Sequence, residues 1–418
     1  MYTFAIVISL PLVLLRLWWK GRKNPGYRLR WKERFGFFNC PALDQPSIWV
    51  HAVSLGEVIA ATPLIRELQK KYPNSPFVVT TTTPTGSQMV QNTFKDSVNH
   101  VYFPYDLPSF VNRFLDHFRP KILILLETEL WLNCLAHTKK RNIPIVIVNA
   151  RISPKAFKRY EWISFITRQM LSYVTTVAAQ TEEDGERFIR LGLARERLII
   201  TGNIKFDAPV KEEQIKQGQV LKATWSRPVW IAASTHNGEE EKVLDAFKII
   251  LTEVKEALLI LVPRHPDRFE AVENLVTQQG FSVVTRKSEA PVLMSTQVFL
   301  GNTMGELMLF YAASDIAFVG GSLISIGGHN TLEPVSVAIP VIVGPHVFTF
   351  VEITKLLSEA GALVQVDSSE TLAQAVLQWF KDPKVRERAG MQGKAVVEKN
   401  RGALTKMMNV IEQQMSIV

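Results

Sequence analysis

A glycine-rich stretch from Phe318 to Pro334 contains the residue types best suited to binding an anion. An apolar strand is predicted at Ile316–Val319, and two pairs of glycines follow it. Glycine lets backbone N–H groups approach an anion closely, and the N-terminus of a following helix adds about half a positive charge. The candidate phosphate-loop residues are Gly320, Gly321, Ser322, Gly328 and His329.

The second half of this stretch predicts a helix that starts near Leu332, with Asn330 or Thr331 as its cap. Glu333 would stand in the first turn, where its carboxylate can accept hydrogen bonds from ligand hydroxyls. The glycine spacing matches neither the dinucleotide fingerprint nor the Walker A loop, so neither site is predicted. A glycine-rich turn without a ligand is the alternative to a phosphate site.

Glu57 follows the first predicted strand, Ile48–Val53, and begins a predicted helix at Glu57–Lys71. The helix dipole stabilises a carboxylate in the first turn, so helix capping is one interpretation of this residue. Ligands of open α/β sheets bind at the carboxyl ends of the strands. The other interpretation of Glu57 is therefore a general base that accepts a hydroxyl proton.

Two further acids, Glu127 and Glu129, come directly after the predicted strand Ile122–Leu126. Unpaired acids are rarely buried in a core, so their position after a strand favours a role in a ligand-binding site. Glu127 could hold a cation or orient substrate hydroxyls, whereas Glu129 could simply begin the next helix, predicted at Leu130–Arg141. Paired carboxylates are also found in glycoside hydrolases, although the signal here is weak.

Cationic residues also follow predicted strands. Lys205 closes the first half of the chain, and Arg264 lies in the segment Pro263–Arg268, which holds two arginines and a histidine. Arginine binds phosphate with a fork of N–H donors, which makes this segment an anion-site candidate; surface arginine is the alternative. The segments Ser234–His236 and Gly301–Glu306 leave their strands with small or polar residues and are weaker candidates.

Motifs for metal binding and for serine hydrolysis are absent from the sequence. The eight histidines are scattered, and no His-Glu-x-x-His, Asp-x-Asp or Gly-x-Ser-x-Gly element occurs. The two cysteines, Cys40 and Cys134, lack metal-ligand spacing and favour a reducing compartment over a disulfide framework.

The elements that must position these residues alternate between apolar strands and amphipathic helices, which is typical of parallel sheets covered on both faces. The chain of 418 residues is long enough for two domains. The pattern pauses at a polar stretch near residues 205–227, so we predict two doubly wound α/β domains with ligands in the crevice between them. The remaining predicted strands are Phe77–Thr82, His100–Phe103, Ile145–Val148, Thr175–Ala179, Val229–Ala233, Leu258–Val262, Ser282–Val284, Val298–Leu300 and Val341–Val343.

The first twenty residues predict an uncleaved membrane anchor. An apolar run at Tyr2–Leu15 ends in Trp18 and Trp19, and seven basic residues between Lys20 and Arg34 follow against the single acid Glu33. Basic residues beside an apolar run stay cytoplasmic and are attracted to anionic lipid. The run is short for a straight span, and a buried N-terminal helix is the alternative. The chain has a net charge of +9, and part of the excess positive charge lies beside this anchor. No nucleic-acid motif follows, so a membrane is favoured over nucleic acid as the binding partner of these basic residues.

Six motifs in order resemble the 3-deoxy-D-manno-octulosonic acid (Kdo) transferases of Gram-negative bacteria. They are Ser54–Glu57, Glu127–Trp131, Gly202–Lys205, Pro263–Pro266, Met304–Glu306 and Gly327–Pro334. The resemblance implies a GT-B glycosyltransferase with two Rossmann-like domains, an inter-domain cleft and no cofactor or metal. It further implies transfer of Kdo from CMP-Kdo to a lipid A precursor, lipid IVA, with inversion, in lipopolysaccharide core biosynthesis. Asn133 stands where the family has proline, a small departure in helix geometry.

The same resemblance implies roles for residues at matching positions. Glu57 corresponds to the proton acceptor, and Glu127 and Lys205 correspond to residues that support the transition state. The CMP-binding positions are Pro263, Arg264, Met304, Gly305, Glu306, Asn330, Thr331, Leu332 and Glu333. No residue is expected to bind a metal.

We therefore expect an enzyme on the cytoplasmic face of the bacterial inner membrane, with CMP-Kdo, a lipid A precursor and inner-membrane lipids as its partners. The expected segments are an anchor at 1–20, an acceptor-binding domain at 21–205, a linker at 206–227, a CMP-Kdo-binding domain at 228–400, and a C-terminal helix at 401–418 packing toward the first domain. The alternatives are another GT-B sugar-nucleotide enzyme, such as a UDP-sugar transferase or epimerase, and a non-catalytic nucleotide sensor.

Overall fold

The computed structural model describes residues 2–22, 24–207 and 212–416. Two compact units divide the chain, Met1–Ala208 with Arg401–Val418 as the first and Pro209–Asn400 as the second. Parts of the expected anchor, linker and C-terminal segment lie outside the described residues.

The described part of the first unit is built on a parallel sheet of seven strands. Its strands are β1 (Ser47–His51), β2 (Phe77–Thr81), β3 (Asn99–Tyr102), β4 (Pro120–Leu126), β5 (Ile145–Ala150), β6 (Thr176–Ala179) and β7 (Leu198–Ile200). They lie in the order β3-β2-β1-β4-β5-β6-β7. Every residue of β1 and β2 is buried, as the continuous apolar runs predict for a sheet covered on both faces.

Helices flank this sheet. In the first 207 residues they are α1 (Tyr2–Lys20), α2 (Trp31–Arg34), α3 (Leu55–Lys71), α4 (Pro84–Phe94), α5 (Pro108–Phe118), α6 (Leu132–Lys140), α7 (Pro154–Trp162), α8 (Ser164–Tyr173) and α9 (Glu182–Arg190). Alternate residues of each strand enter two core layers: Ile48 and Val50 pack with α3, and Trp49 and Leu123 pack with α5.

The described part of the second unit repeats this architecture with another seven-stranded parallel sheet. Its strands are β8 (Val229–Thr235), β9 (Leu258–Pro263), β10 (Val283–Thr285), β11 (Val298–Leu300), β12 (Ile316–Val319), β13 (Val341–Val343) and β14 (Leu363–Gln365). They lie in the order β10-β11-β9-β8-β12-β13-β14. The predicted pair of doubly wound α/β domains is therefore confirmed.

The helices of the second unit begin inside the expected linker. They are α10 (Glu212–Trp225), α11 (Glu240–Glu253), α12 (Phe269–Gln278), α13 (Leu307–Ala312), α14 (Leu332–Ser336), α15 (Val351–Glu359), α16 (Ser369–Lys381) and α17 (Pro383–Asn400). Residues 208–211 of the expected linker lie outside the described residues, and most of the rest forms α10. Gly218 of α10 lies against α13, because a Cβ there would come within 2.2 Å of the Leu309 carbonyl oxygen.

The C-terminal helix α18 (Ala403–Met415) belongs to the first unit. Met407 and Ile411 are fully buried among the residues of its first core layer. The carboxylate of Asp207 accepts hydrogen bonds from the Gly402 and Leu404 N–H groups, at 2.7 and 2.6 Å, and so caps the start of α18.

Helix α1 presents its apolar side chains to the outside. Among the described residues it is the one helix long and apolar enough to cross a membrane, and none of its residues is buried. Phe4 is 69% exposed and Trp19 is 66% exposed. Its first turn is fixed to the first unit, because the Tyr2 hydroxyl donates to Asp106 Oδ2 at 2.8 Å.

Candidate active site

The strand order of the first sheet places Glu57 and Glu127 at its topological switch point. The chain runs from β1 outward through β2 and β3, and then returns to β4 on the other side of β1. Glu57 follows β1 and Glu127 follows β4, so both lie beyond the carboxyl ends of two adjacent strands. Open α/β sheets bind their ligands in the crevice at this point.

The Glu57 side chain turns back toward the residues that precede α3. Its Oε2 atom accepts the Val53 N–H at 2.8 Å, and its Oε1 atom accepts the Ser54 hydroxyl at 2.9 Å. Ser54 is the N-cap of α3, since its hydroxyl oxygen accepts the Glu57 N–H. Glu57 thus supports the start of the helix from its first turn, and the cap itself is Ser54. Burial raises the pKa of Glu57, and the charge of Glu127 raises it further. A carboxylate with a raised pKa is also a better proton acceptor, so a role at the start of the helix and base chemistry are compatible.

Glu129 lies in the loop before α6 and does not begin that helix, contrary to one sequence-based interpretation. Trp131 Nε1 donates to Glu129 Oε2 at 2.9 Å. Burial raises the pKa of Glu129 to about 7, with smaller contributions from the charges of Glu57 and Glu127. Each of the three carboxylates thus lies within the electrostatic range of another. Glu127 itself has a left-handed backbone (φ 59°), a conformation that bends the chain directly after β4.

Asn133 shows why proline is not required at its position. Its N–H donates to Asp106 Oδ2 at 3.0 Å, and the Cys134 N–H donates to Asp106 Oδ1 at 2.7 Å. Asp106 therefore caps α6, the helix that follows the Glu127–Glu129 loop. Proline has no N–H, so this sequence uses the asparagine for a contact that proline cannot make.

Lys205 lies in a 3₁₀ turn, Ile204–Asp207, that follows the edge strand β7. The turn lies against β5, because the Ile204 N–H donates to Asn149 Oδ1 at 3.1 Å. Strand β5 is the neighbour of β4, the strand that Glu127 follows. The chain after β7 therefore comes back toward the middle of the sheet before it reaches Lys205.

The second sheet has its switch point between β8 and β12, which are adjacent although the chain passes through β9, β10 and β11 between them. His236 follows β8, and the glycine pair Gly320–Gly321 follows β12. Pro263 ends the neighbouring strand β9, and Arg264 comes next. Three segments identified in the sequence therefore meet at one edge of this sheet.

The prediction of a phosphate loop is wrong for the first glycine pair, because the N–H groups of this segment already have acceptors inside the protein. Glu239 is fully buried and accepts the N–H groups of Gly321, Ser322 and Leu323 at 2.7, 2.9 and 2.9 Å. The Gly320 N–H donates to the Ala233 carbonyl. These groups are therefore not available to a ligand phosphate.

The second glycine pair is also satisfied internally, since the Gly328 N–H donates to the Gly321 carbonyl at 2.8 Å. Sequence reasoning missed Glu239 altogether. The run of three acids from Glu239 to Glu241 after a strand was the available signal. It resembled an ordinary acidic first turn of a helix, so it gave no reason to place a carboxylate under a loop 82 residues away.

Two histidines meet above this loop. His236 Nε2 lies 2.7 Å from His329 Nε2, and the His329 ring packs over Gly321. At this distance one imidazole must donate and the other accept, so the neutral pair shares one hydrogen-bonding proton. Burial, with smaller contributions from His236, Arg264 and His265, lowers the pKa of His329 to about 4. Burial likewise lowers the pKa of His236, together with His265, Arg264 and Arg268.

The two arginines of the β9 segment differ in their contacts. Arg268 donates to the buried Glu240 carboxylate at 3.1 Å and to Asn237 Oδ1 at 2.9 Å, so it is a structural residue. Arg264 is exposed and makes no ion pair with any residue that the structure describes. Arg264, His265 and the histidine pair therefore form a basic cluster that can receive an anion.

The Met304–Glu306 segment follows β11, two strands from β8. Glu306 accepts hydrogen bonds from Arg286 at 2.8 and 3.2 Å, and these bonds lower its pKa. Its carboxylate is thus held by an ion pair, while Met304 is 60% exposed. Gly305 has a left-handed backbone, φ 84°, which turns the segment.

The helix predicted near Leu332 is confirmed as α14, but it is only five residues long. Asn330 Oδ1 accepts the Leu332 N–H at 3.1 Å, and Asn330 Nδ2 donates to Glu333 Oε1 at 3.1 Å. Asn330 thus caps the helix, whereas the Thr331 side chain makes no capping hydrogen bond. Among the described residues, no three of the His, Cys, Asp and Glu side chains gather as a metal site would require.

Comparison with known proteins defines the class of this chain. The family model for glycosyl transferases group 1 matches residues 241–396. An S. aureus MnaA-UDP co-structure superimposes with a TM-score of 0.56 at 14% identity, covering 90% of this chain and 98% of that one, and this likeness shows the fold alone. Together with the two Rossmann-like sheets, these findings define a GT-B glycosyltransferase.

The N-terminal half and the full-length relatives define the family. The model for 3-Deoxy-D-manno-octulosonic-acid transferase (kdotransferase) matches residues 29–208. A 3-deoxy-D-manno-octulosonic acid transferase from Haemophilus influenzae is 44% identical, covering 98% of this chain and 97% of the relative. One from Bordetella pertussis is 32% identical, covering 98% of each chain. The chain belongs to the 3-deoxy-D-manno-octulosonic acid transferase family, glycosyltransferases of lipopolysaccharide core biosynthesis.

Proposed function

We propose that this enzyme transfers Kdo from CMP-Kdo to a lipid A precursor, lipid IVA, by a single inverting displacement that needs no metal. The observation that carries this proposal is the position of Glu57 and Glu127 at the switch point of the first sheet, in a chain of this family. The acceptor oxygen attacks C2 of Kdo, the bond from C2 to the phosphate oxygen breaks, and CMP leaves.

Glu57 is the proposed general base. A 6′-type hydroxyl of the glucosamine disaccharide gives its proton to the Glu57 carboxylate as the new bond forms. The hydrogen bonds from Val53 and Ser54 hold this carboxylate in place, and its raised pKa increases its affinity for the proton. Glu127 and Lys205 are proposed to support the transition state, as their positions in the family motifs imply.

The donor site is proposed to use side-chain hydrogen-bond donors in place of the glycine-loop amides. The leaving group is a phosphate monoester, and its developing charge requires a donor-rich environment. Arg264 and the pair His236–His329 supply that environment at the carboxyl edge of the second sheet. The segments Pro263–Arg264, Met304–Glu306 and Asn330–Glu333 are the proposed CMP-binding positions.

The enzyme is proposed to act at the cytoplasmic face of the bacterial inner membrane. Helix α1 is apolar and exposed, and basic residues, including Arg22 and Arg28, follow it. Such residues favour the cytoplasmic side and attract anionic lipid headgroups. A lipid-linked acceptor would then meet the enzyme at the bilayer surface.

One experiment tests the reaction directly. Purified enzyme is incubated with CMP-Kdo and tetra-acylated lipid IVA, and the lipid product is analysed by mass spectrometry, with NMR for the anomeric configuration. We expect Kdo addition with inversion, unchanged by EDTA. Absence of any Kdo adduct, or retention of configuration, would contradict the proposal, and loss of turnover in EDTA would contradict its metal-free step.

A nucleotide panel separates this function from a UDP-sugar transferase or epimerase. CMP should raise the melting temperature of the protein, whereas UDP at the same concentration should not. Protection by UDP alone would favour the alternative. CMP binding with no release of Kdo from CMP-Kdo would favour a nucleotide sensor.

A further inference from the structure

The turn between α7 and α8 exposes two large aromatic side chains. Trp162 is 89% exposed and Phe165 is 82% exposed, although the opposite faces of the two helices are packed into the first unit through the buried residues Phe157 and Leu171. The turn therefore belongs to well-packed helices. Aromatic rings of this size are normally buried or placed at an interface.

Basic side chains surround these rings. The segment 153–169 contains four exposed cations and one acid, Glu161. Glu161 lies 3.8 Å from Arg190, so its charge is partly compensated by a residue outside the segment. The exposed cations of the segment are Lys155, Lys158, Arg159 and Arg168.

Helix α7, which leads into this turn, lies near the acids of the first sheet. Tyr160 of α7 is close enough to Glu129 for that carboxylate, after burial, to raise the pKa of the tyrosine to about 12. Helix α8 packs against α6, whose first N–H groups bind Asp106. Asp106 also accepts the hydroxyl of Tyr2. The two helices that flank the turn are thus linked to the loop of the acids and to α6, and α6 is linked through Asp106 to the first residue of α1.

We propose that the α7–α8 turn is a second membrane contact, in which Trp162 and Phe165 enter the headgroup layer and the surrounding cations contact anionic lipid phosphates. Tryptophan and basic residues on one surface are the usual composition of a peripheral membrane contact. The core of a protein–protein interface is depleted of charge, so four cations around two rings favour lipid over a protein partner. The inference rests on the proposed membrane location of the enzyme.

The proposed contact can be tested on the full chain with a fluorescent label. Trp162→Cys, in a Cys40→Ser background, is labelled with an environment-sensitive dye; the remaining cysteine, Cys134, is buried. The control label is placed at the exposed Asn74, which precedes the amino end of β2 at the opposite edge of the first sheet. Vesicle flotation run in parallel reports whether the protein is bound at all.

With phosphatidylglycerol-containing vesicles we expect a blue shift and protection from an aqueous quencher at position 162, and no change at position 74. Lys155→Gln and Lys158→Gln each remove one cation. Each substitution should lower the population of molecules with the turn inserted in the membrane, relative to those with the turn in water, about fivefold. Floating protein with a water-exposed label at 162 would overturn the inference but leave the membrane location intact. Protein that does not float would instead contradict the membrane location itself.

Activity provides a second readout. Trp162→Ser/Phe165→Ser should reduce transfer to an acceptor embedded in anionic vesicles about fivefold or more, with transfer to a detergent-dispersed acceptor unchanged. Equal loss in both assays would overturn the inference, because it would indicate that the rings bind the acceptor or support the fold. A blue shift at 162 caused by dispersed lipid IVA without vesicles would also overturn it in favour of an acyl-chain site.

Discussion

His236 Nε2 and His329 Nε2 lie 2.7 Å apart, with ring planes 5° from parallel. The two residues are 93 positions apart in the chain, and they meet because β8 and β12 are neighbours in the second sheet. Burial and the nearby Arg264 and His265 lower the pKa values of both imidazoles, so the neutral pair resists protonation. An anion removes part of this resistance, so ligand binding and proton uptake should be coupled.

We therefore predict that CMP binding strengthens as the pH falls from 8 to 6.5. Bound phosphate should raise the lowered pKa values of His236 and His329, so the complex takes up a proton that the free enzyme does not hold. His329→Asn should weaken CMP binding about tenfold at pH 6.5 and flatten the pH dependence. Isothermal titration in buffers of different ionisation enthalpy measures both affinity and proton uptake.

Cytidine, which has no phosphate, is the control ligand for this prediction. Its binding should change little with pH or with the His329→Asn substitution. The CMP phosphate also titrates near pH 6. This contribution is the same for the wild-type enzyme and the His329→Asn variant, so it cancels when their pH dependences are compared. An equal pH dependence in the variant would contradict a role for the histidine pair.

Glu57→Gln should lower the turnover number by a factor of about 100 to 10,000, the usual contribution of a general base. The amide keeps one oxygen that can accept the Val53 N–H or the Ser54 hydroxyl, so the start of α3 should be weakened by only about 1 kcal/mol. The measurement is the rate of Kdo transfer together with CMP affinity, which should be retained. Glu67→Gln, at a half-buried position of the same helix, is the control. Full activity of Glu57→Gln would remove the base assignment.

Glu129→Gln should change stability in a pH-dependent way. The folded-state pKa of Glu129 is raised to about 7, so its protonated form favours the folded state, and this contribution is lost as the pH rises through 7. The glutamine should therefore leave the free energy of unfolding unchanged near pH 4 and increase it by about 1 kcal/mol or more at pH 8. Its oxygen can still accept the Trp131 N–H. Denaturant unfolding at both pH values measures the difference, and a loss of stability at pH 8 would contradict the prediction.

Glu239→Gln should destabilise the second unit by about 3 kcal/mol, because the amide NH₂ would face backbone N–H donors in a buried site. The carboxylate accepts N–H groups from Gly321, Ser322 and Leu323, and from His236 at 3.2 Å. Thermal unfolding with and without CMP measures the effect. Glu253→Gln, which removes only an exposed pair with Lys381, is the control; equal melting temperatures for both variants would show that the buried carboxylate is dispensable.

The sequence was most informative where a run of apolar residues was long enough to define a central strand. Strand β4 was predicted within two residues of its observed start, and every residue of the strand except Lys121 is buried. The strands β7 and β14 were missed, because an apolar run of two or three residues is too short to indicate a strand. Both are edge strands, with exposed positions such as Ile199 and Val364. Asn330 was correctly predicted as a possible helix cap from its type and position alone.

The sequence by itself determined which chemical groups follow which strands: carboxylates after β1 and β4, and histidine, arginine and glycine after β8, β9 and β12. These assignments depend on residue type and on the local end of an apolar run, so they can be made along the chain. Only the tertiary structure decided which of these groups have a partner inside the protein. Glu239 occupies the glycine-loop amides, and His236 pairs with His329, because the strand order brings residues 82 to 93 positions apart to one edge of a sheet.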